Sequence, residues 1–584
     1  MPGIAREAAS RASPEAAARA RAGTVPSWFL LEALTAHAGA RPDDIALTFL
    51  DSRGRVASEL SYAGLLRSAH YAARAVLGRF DPGERIILCL PTGPDYVAVF
   101  LGCLMAGMVA VPLYPPANGK HLPRIRAVAA DSGARVMLTS RGELDRMVAM
   151  AGSEDPLGVE LVVVEPVSAD PAGDRGPRPV VPGPDPDSIA FLQYTSGSTG
   201  DPKGVRISLR NLAASAELSH PRFLGDLRGP GVSWLPLYHD MGLIGALMQS
   251  LIWGDPLVLM APTSFAQRPL LWLEAISRFR ALRTGAPNFA LDLCSSALES
   301  RPDVQLDLSS LRVMFCGAEP IRPATLRRFF GAFERFGLDP AAFMPCYGLA
   351  EATLFVSGRT WQGRAKERLI AAGDGPVGCG PPADSTRIAI VCPDTATPVP
   401  ETETGEIWVA GPQVADGYWG RPELTERVFR ARLAGEEGES QSYLRTGDLG
   451  AFVDGELSIR GRAKEMLILN GRNHYPGDLE DTAASHCDSI HSSQVVAVAI
   501  EGETGPSLAL VAEAARSSLD EDLEEGVRAI RRALTAAHGV APQAIVFLQR
   551  GALPKTSSGK LRRIEVAHRI NDLSKTARHV WRAA

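Results

Sequence analysis

The sequence predicts an α/β protein: a large N-terminal domain of two helix-covered sheets with a small β-barrel-like subdomain, followed by an α+β C-terminal domain. Three observations carry this. The chain has 584 residues, more than one hydrophobic core serves, so several folding units are required. From Arg85 onward, short apolar β-rich runs alternate with helical patterns, the rhythm of parallel strands covered by helices. Past Arg387 the texture shifts to brief β-like runs divided by Gly and Pro turns, which suits a small barrel or a distorted sheet.

In order, residues 1–25 read as a frayed tail, rich in Ala and Arg and without the continuous apolar stretch of a secretory signal. The large domain spans 26–460. Strands are expected at Arg85 to Leu90, Val109 to Leu113, Val136 to Thr139 and Leu161 to Glu165, with helices at Tyr96 to Met105 and Leu122 to Ala130. Residues 166–188 are dense in Pro, Gly and Asp and mark a subdomain break. A second unit follows, with strands at Ile189 to Tyr194, Val232 to Leu235, Leu257 to Met260 and Arg312 to Cys316. Helices are expected there at Leu270 to Phe279 and Pro323 to Phe336. The β-rich subdomain covers about 385–460, with runs at Ile388 to Val391, Gly405 to Val409 and Leu457 to Ile459, and 461–584 form the C-terminal domain. Tyr96 to Leu113 and Gly242 to Met260 approach the length of a membrane span. Gly102, Gly107 and Pro112 punctuate the first, and Gln249, Ser250 and Asp255-Pro256 interrupt the second, so neither is expected to cross.

A hydrophobic fraction of 45% with 22% charged residues describes a folded chain. Sixty-one Lys and Arg against 66 Asp and Glu leave a formal charge of −5, no footprint for nucleic acid or anionic lipid. The eight cysteines form no CxxC pair and no Cys/His cluster at zinc spacing, which points to reduced thiols in the cytoplasm.

The strongest local signal is Tyr194-Thr195-Ser196-Gly197-Ser198-Thr199-Gly200-Asp201-Pro202-Lys203-Gly204. Its glycines permit close approach, and its hydroxyls, backbone N–H groups and lysine supply the donors that a polyphosphate requires after a strand. The spacing is not that of a Walker A loop.

This stretch resembles the phosphate loop of the adenylate-forming enzymes, the superfamily of acyl-CoA synthetases, luciferases and peptide-synthetase adenylation domains. Further counterparts follow in the family's order: Trp234-Leu235-Pro236-Leu237-Tyr238-His239-Asp240-Met241-Gly242-Leu243, Pro287-Asn288-Phe289, Gly317-Ala318-Glu319-Pro320 and Tyr347-Gly348-Leu349-Ala350-Glu351-Ala352-Thr353. Tyr443-Leu444-Arg445-Thr446-Gly447-Asp448, Gly471-Arg472-Asn473-His474-Tyr475-Pro476 and Lys555-Thr556-Ser557-Ser558-Gly559-Lys560 complete the set. With Gln267-Arg268-Pro269 ahead of Trp272-Leu273, the wording resembles the fatty acyl-AMP ligase branch.

The resemblance implies ATP and Mg2+ as cofactors, with site roles as follows. Thr195, Ser196, Gly197, Ser198, Thr199, Gly200 and Lys203 would cradle the β- and γ-phosphates, and Glu351 with Thr195 would bind the magnesium. Asp448 and Arg462 would hold the ribose, and Gly317, Ala318, Glu319, Cys346, Tyr347 and Gly348 the adenine. His239 would stand between acyl pocket and α-phosphate, Lys560 would bridge the carboxylate and α-phosphate, and Lys464 would be the hinge of the C-terminal domain. Trp234, Met241, Gly242, Thr284, Gly285, Pro287 and Phe289 would line the acyl pocket. Lys560 matters most, because joining two anions requires a positive charge where they meet.

The implied reaction turns a fatty acid into its acyl-adenylate and passes the acyl group to the phosphopantetheine thiol of an acyl carrier protein. One departure bears on the acceptor: the stretch between Glu351 and Val377 is shorter and more polar than the branch's usual insert. An acyl-CoA synthetase, which shares the first half-reaction, therefore remains an alternative. A pseudoenzyme that binds acyl-adenylate or lipid is another, against which the joint presence of Lys203, Glu351, Asp448 and Lys560 argues.

Overall fold

The parallel strands expected from the sequence assemble into two sheets. The computed structural model describes residues 29–152, 157–165, 185–195, 202–223, 225, 227–360, 377–435, 441–469, 472–502, 505–515, 518–556 and 559–583. The expected tail and most of the Pro/Gly-rich break lie outside these residues, as do Ser196 to Gly200 and the polar stretch 361–376.

The first sheet has six strands in the order Glu160–Val163, Val136–Thr139, Arg85–Cys89, Val109–Pro112, Ile189–Thr195, Lys203–Ser208, parallel except for the last pair. The second has eight: Leu354–Gly358, Phe343–Leu349, Val313–Cys316, Arg283–Ala286, Gly231–Ser233, Leu257–Met260, Ile45–Leu50 and Val56–Ser61. Its two end pairs are antiparallel and the pairs between them parallel. Parallel strands are apolar on both faces, and Val109–Pro112, Val136–Thr139 and Leu257–Met260 are buried throughout. The strand expected at Val232 to Leu235 is instead Gly231–Ser233. Trp234 and Leu235 leave the ladder ahead of Pro236, which has no N–H to pair, and its carbonyl accepts the His239 N–H at 3.1 Å.

The turn-rich region is an antiparallel sheet of Arg387–Val391, Gly405–Ala410, Leu444–Val453 and Glu456–Arg462 in that order. Among the described residues its first and last strands do not pair with each other, and Leu457 of the last instead exchanges backbone hydrogen bonds with Cys379 and Gly380, so it takes the distorted-sheet form. One hydrophobic cluster runs from Leu30 to Leu457. From Leu467 onward new clusters begin on the two faces of a four-stranded sheet, Ile490–Gly502, Gly505–Ala514, Ala544–Leu548 and His579–Arg582. The helices Pro476–Ser485 and Asp520–His538 cover one face and Arg563–Lys575 the other. We call the parts before and after this change the body and the cap. Among the described residues, no helix is long and apolar enough to cross a membrane.

Candidate active site

Open α/β sheets present crevices at the carboxyl ends of their parallel strands. Here the ends of Gly231–Ser233, Arg283–Ala286, Val313–Cys316 and Phe343–Leu349 meet the cap around a cavity of about 2510 Å3.

At one end Val313–Cys316 runs into Gly317, Ala318 and Glu319, which line the cavity. A Cβ on Gly317 would stand 2.8 Å from the Cys346 carbonyl, so only glycine fits, and Ala318 holds the left-handed φ of 71° that marks strain at a functional turn. Glu319 Oε1 accepts the Phe289 N–H at 2.6 Å. Cys346, Tyr347 and Gly348 continue the wall from the next strand. The Tyr347 hydroxyl donates to Asp448 Oδ2 at 2.7 Å, and Arg462 Nε meets Asp448 Oδ1 at 2.9 Å. Asp448 and Arg462 face each other in register across adjacent strands. A carboxylate offers about four lone-pair sites, so this one retains capacity for a diol.

The phosphate end begins at Thr195, register partner of Lys203. The Lys203 ammonium lies 5.7 Å from the Tyr418 ring centroid, and the Tyr418 hydroxyl donates to Glu351 Oε1 at 2.9 Å. Glu351 stands in the 3-10 turn Ala350–Ala352 that ends the strand Phe343–Leu349. Burial lowers the Lys203 pKa, Lys464 lowers it further, and Glu351 opposes them. Lys464, on the turn Ala463–Glu465, thus shares the cation cluster with Lys203 and Arg427.

Lys560 enters from the cap. Its loop is a tight turn in which the Thr556 N–H donates to the Lys560 carbonyl at 2.8 Å and the Lys560 N–H to Thr556 Oγ1 at 3.1 Å. Gly559 has φ +89°, and a Cβ there would stand 3.0 Å from the Phe289 ring, so the turn packs directly on the body. Burial pushes the Lys560 ammonium pKa down, Asp240 raises it, Arg462 lowers it, and Glu319 and Asp448 raise it. Burial, then Lys560 and Arg124, pushes His239 down to about 3, so its imidazole is neutral at pH 7. Burial raises the Asp240 carboxyl and Lys560 opposes this. The cap lysine therefore sits between the pair His239 and Asp240 and the group formed by Glu319, Asp448 and Arg462.

Of the expected acyl-pocket residues, Trp234, Met241, Gly242, Pro287 and Phe289 line the cavity. Trp234 stacks on Phe265 with centroids 3.8 Å apart. A Cβ on Gly242 would lie 2.2 Å from the Pro236 carbonyl oxygen, which explains the glycine. Thr284 is a correction. Its hydroxyl takes the Trp272 Nε1–H at 2.8 Å and donates to the Val232 carbonyl at 2.7 Å, on the opposite face of the sheet from the channel. Gly285 is corrected too: the Phe315 ring covers it, 2.0 Å from where its Cβ would be, and it is Phe315 that lines the cavity.

An ion-pair latch joins the two parts, and no motif announced it. Arg322 of the body donates to Glu480 Oε2 at 3.0 Å and meets Asp481 Oδ1 at 2.8 Å. Arg563 grips both oxygens of the fully buried Glu480 at 2.8 Å and reaches Glu465 at 3.0 Å. Tyr418 and Arg427 were missed as well. They lie far in sequence from the groups they serve.

The crevice thus brings a carboxylate–arginine pair, a cation cluster beside a second carboxylate and the cap's lysine into one cavity. The family model for AMP-binding enzymes matches residues 34–419, and the chain belongs to this family. It is 37% identical to the medium-chain-fatty-acid–[acyl-carrier-protein] ligase JamA of Moorena producens, over 89% of this chain and 91% of that protein. Identity to the long-chain-fatty-acid–AMP ligase FadD26 of Mycobacterium marinum is 36%, over 92% and 96%. Among solved structures, a fatty acyl-adenylate ligase from L. pneumophila in complex with acyl adenylate and pyrophosphate matches with TM-score 0.69 and 32% identity, covering 95% of this chain and 97% of that one.

Proposed function

We propose that this chain activates a fatty acid with ATP and hands the acyl group to the phosphopantetheine thiol of an acyl carrier protein. The observation that carries the reading is the placement of Lys560 beside His239, Asp240, Glu319, Asp448 and Arg462 in one cavity with Lys203 and Glu351. The acceptor assignment is supported by the likeness to the carrier-protein ligase JamA.

A carboxylate oxygen of the acid attacks the α-phosphorus, the bond to the bridging oxygen breaks, and pyrophosphate leaves with the electron pair. Negative charge builds where two anions meet, and the protein's task is positioning and charge compensation. Lys560 supplies a point charge between carboxylate and α-phosphate. His239, held neutral, offers a hydrogen bond there. Asp448 and Arg462 fix the ribose, Gly317 to Glu319 with Cys346, Tyr347 and Gly348 bound the adenine, and Lys203, Thr195 and the loop Ser196 to Gly200 take the outgoing phosphates. The donor set fits magnesium, which prefers one or two carboxylates plus substrate phosphates to an all-protein cage. Glu351 is a hard carboxylate whose Oε2 has no hydrogen-bond partner among the described residues, with Thr195 as its companion. When bound, the ion neutralises phosphate charge. In the second half-reaction the thiol sulfur attacks the acyl carbonyl and AMP departs, after the cap has turned about Lys464 at the boundary near 461. Eight free cysteines accord with a cytoplasmic location.

Pyrophosphate release across a fatty-acid panel, followed by product analysis with CoA or a carrier protein, tests this. Release with one or more acids and a carrier thioester as product is expected. Rapid acyl-CoA formation would overturn the acceptor. No release with any acid, carrier present, would favour a binding protein.

A further inference from the structure

Beyond Met241 and Gly242 the cavity continues as a branch along the helical run from Asp240 to Trp253, which is π-helical over Leu243–Met248, an irregularity common at functional sites. Gly242, Gly245 and Gln249 line it from this run, His220 from the helix Leu209–Phe223, and Arg283 and Phe315 from the sheet. Two elements measure its depth. Gln249 lies about 15 Å beyond His239 at the helical rise. Arg283 lies about 10 Å before the carboxyl end of its strand at the strand rise, in register with Val313.

The floor of this branch is polar. The Arg283 charge is matched there: Nη1 meets Asp255 Oδ2 at 3.0 Å and donates to the Gly229 carbonyl at 2.9 Å, while Nη2 donates to Ser250 Oγ at 3.0 Å. The His220 ring lies against Trp253, centroids 3.6 Å apart. Gln249 Oε1 accepts the Trp253 indole N–H at 3.1 Å. Indole is a donor only, which fixes the amide's orientation. Its other corner, Nε2 with two N–H bonds, has no hydrogen-bond partner among the described residues, although Gln249 is only 9% exposed. A donor that faces a channel is costly to cover with an alkyl chain unless that chain brings an acceptor to it.

We propose that Gln249 is a specificity-determining residue that donates to an oxygen at the far end of the acyl chain. The preferred acid is then of medium length and carries a neutral acceptor, a hydroxyl or ketone, at or near its last carbon. A second carboxylate is disfavoured because Asp255 already matches Arg283. This rests on the acid-activation reading and names its substrate class.

The test compares octanoate, decanoate and dodecanoate with their ω-hydroxy and (ω−1)-keto analogues, reading both pyrophosphate release and binding of each acid to the ATP-free protein by calorimetry. Wild type should favour an oxygenated acid roughly ten-fold or more over its alkane twin. Gln249→Leu should erase the preference. Gln249→Glu, which keeps the acceptor for Trp253 but loses the donor, should erase it too and guards against a merely misfolded Leu variant. Plain acids bound and used as well as their oxygenated twins by wild type would overturn the proposal while leaving acid activation intact. A Gln249-dependent binding preference with no pyrophosphate release would uphold it and overturn acid activation.

Discussion

The body and the cap contribute to one site by different physics. The body's share rests on hydrophobic clusters, the most extensive running from Leu30 to Leu457, in which Trp272 is fully buried and the motif residues are strand ends and turns fixed by that packing. The cap's share rests on an arginine latch around Glu480 and on one turn resting against Phe289. Apolar burial over many residues makes a surface that does not change. A few directional ion pairs make a contact that can be broken and remade, as the proposed withdrawal of Lys560 between half-reactions requires.

Perturbing the body's packing should have the largest effect. Trp272→Ala removes a buried indole packed against Trp234 and Phe265 and is expected to cost about 3–5 kcal/mol. Denaturant melts should show the body destabilised, while hydrogen exchange in the cap helix Asp520–His538 stays unchanged. Equal loss of protection in that helix would erase the contrast between the two parts.

Cutting the latch should cost less and act elsewhere. Arg322→Ala leaves Glu480 paired with Arg563, so about 1.5–3 kcal/mol of docking is expected to be lost. Limited proteolysis between 462 and 467 should quicken, and pyrophosphate release should slow with the body's melting unchanged. Unaltered cleavage and rate would show that the latch does not hold the cap.

The smallest effect expected is one of pH. His239 falls from its ordinary 6.5 to about 3 in the docked state, by burial and by Lys560 and Arg124. A group with a depressed pKa contributes stability that is complete above its unfolded value and lost as pH falls toward the folded one. Stability against unfolding should therefore fall progressively below about pH 6.5, Lys560 contributing only its part of that loss. Lys560→Ala should raise the His239 pKa in an NMR titration, and an unmoved value would place Lys560 away from His239.

The same contrast governs what could be read beforehand. Strand and helix positions in the body were legible because short apolar runs bounded by turn residues, and helical patterns, are local. The motif residues were legible because each sits in a stretch whose chemistry is complete within a few positions. Consecutive Thr284 and Gly285 cannot both face the acyl channel, since neighbours on a strand point to opposite faces. Pro236 was likewise visible as the end of its strand. Arg322, Glu480 and Arg563 were not visible. Ion pairs between residues distant in sequence leave no local pattern, and the same holds for Tyr418 beside Glu351.

The sharpest measurement is single-turnover pyrophosphate release in Lys560→Ala, set beside acyl transfer from preformed acyl-adenylate by the same variant. Loss of one charge-stabilising donor should slow the first step ~10²- to 10³-fold and leave the second near the wild-type rate. Full-speed adenylate formation without the Lys560 ammonium would contradict the central claim that the cap completes the site by delivering that charge.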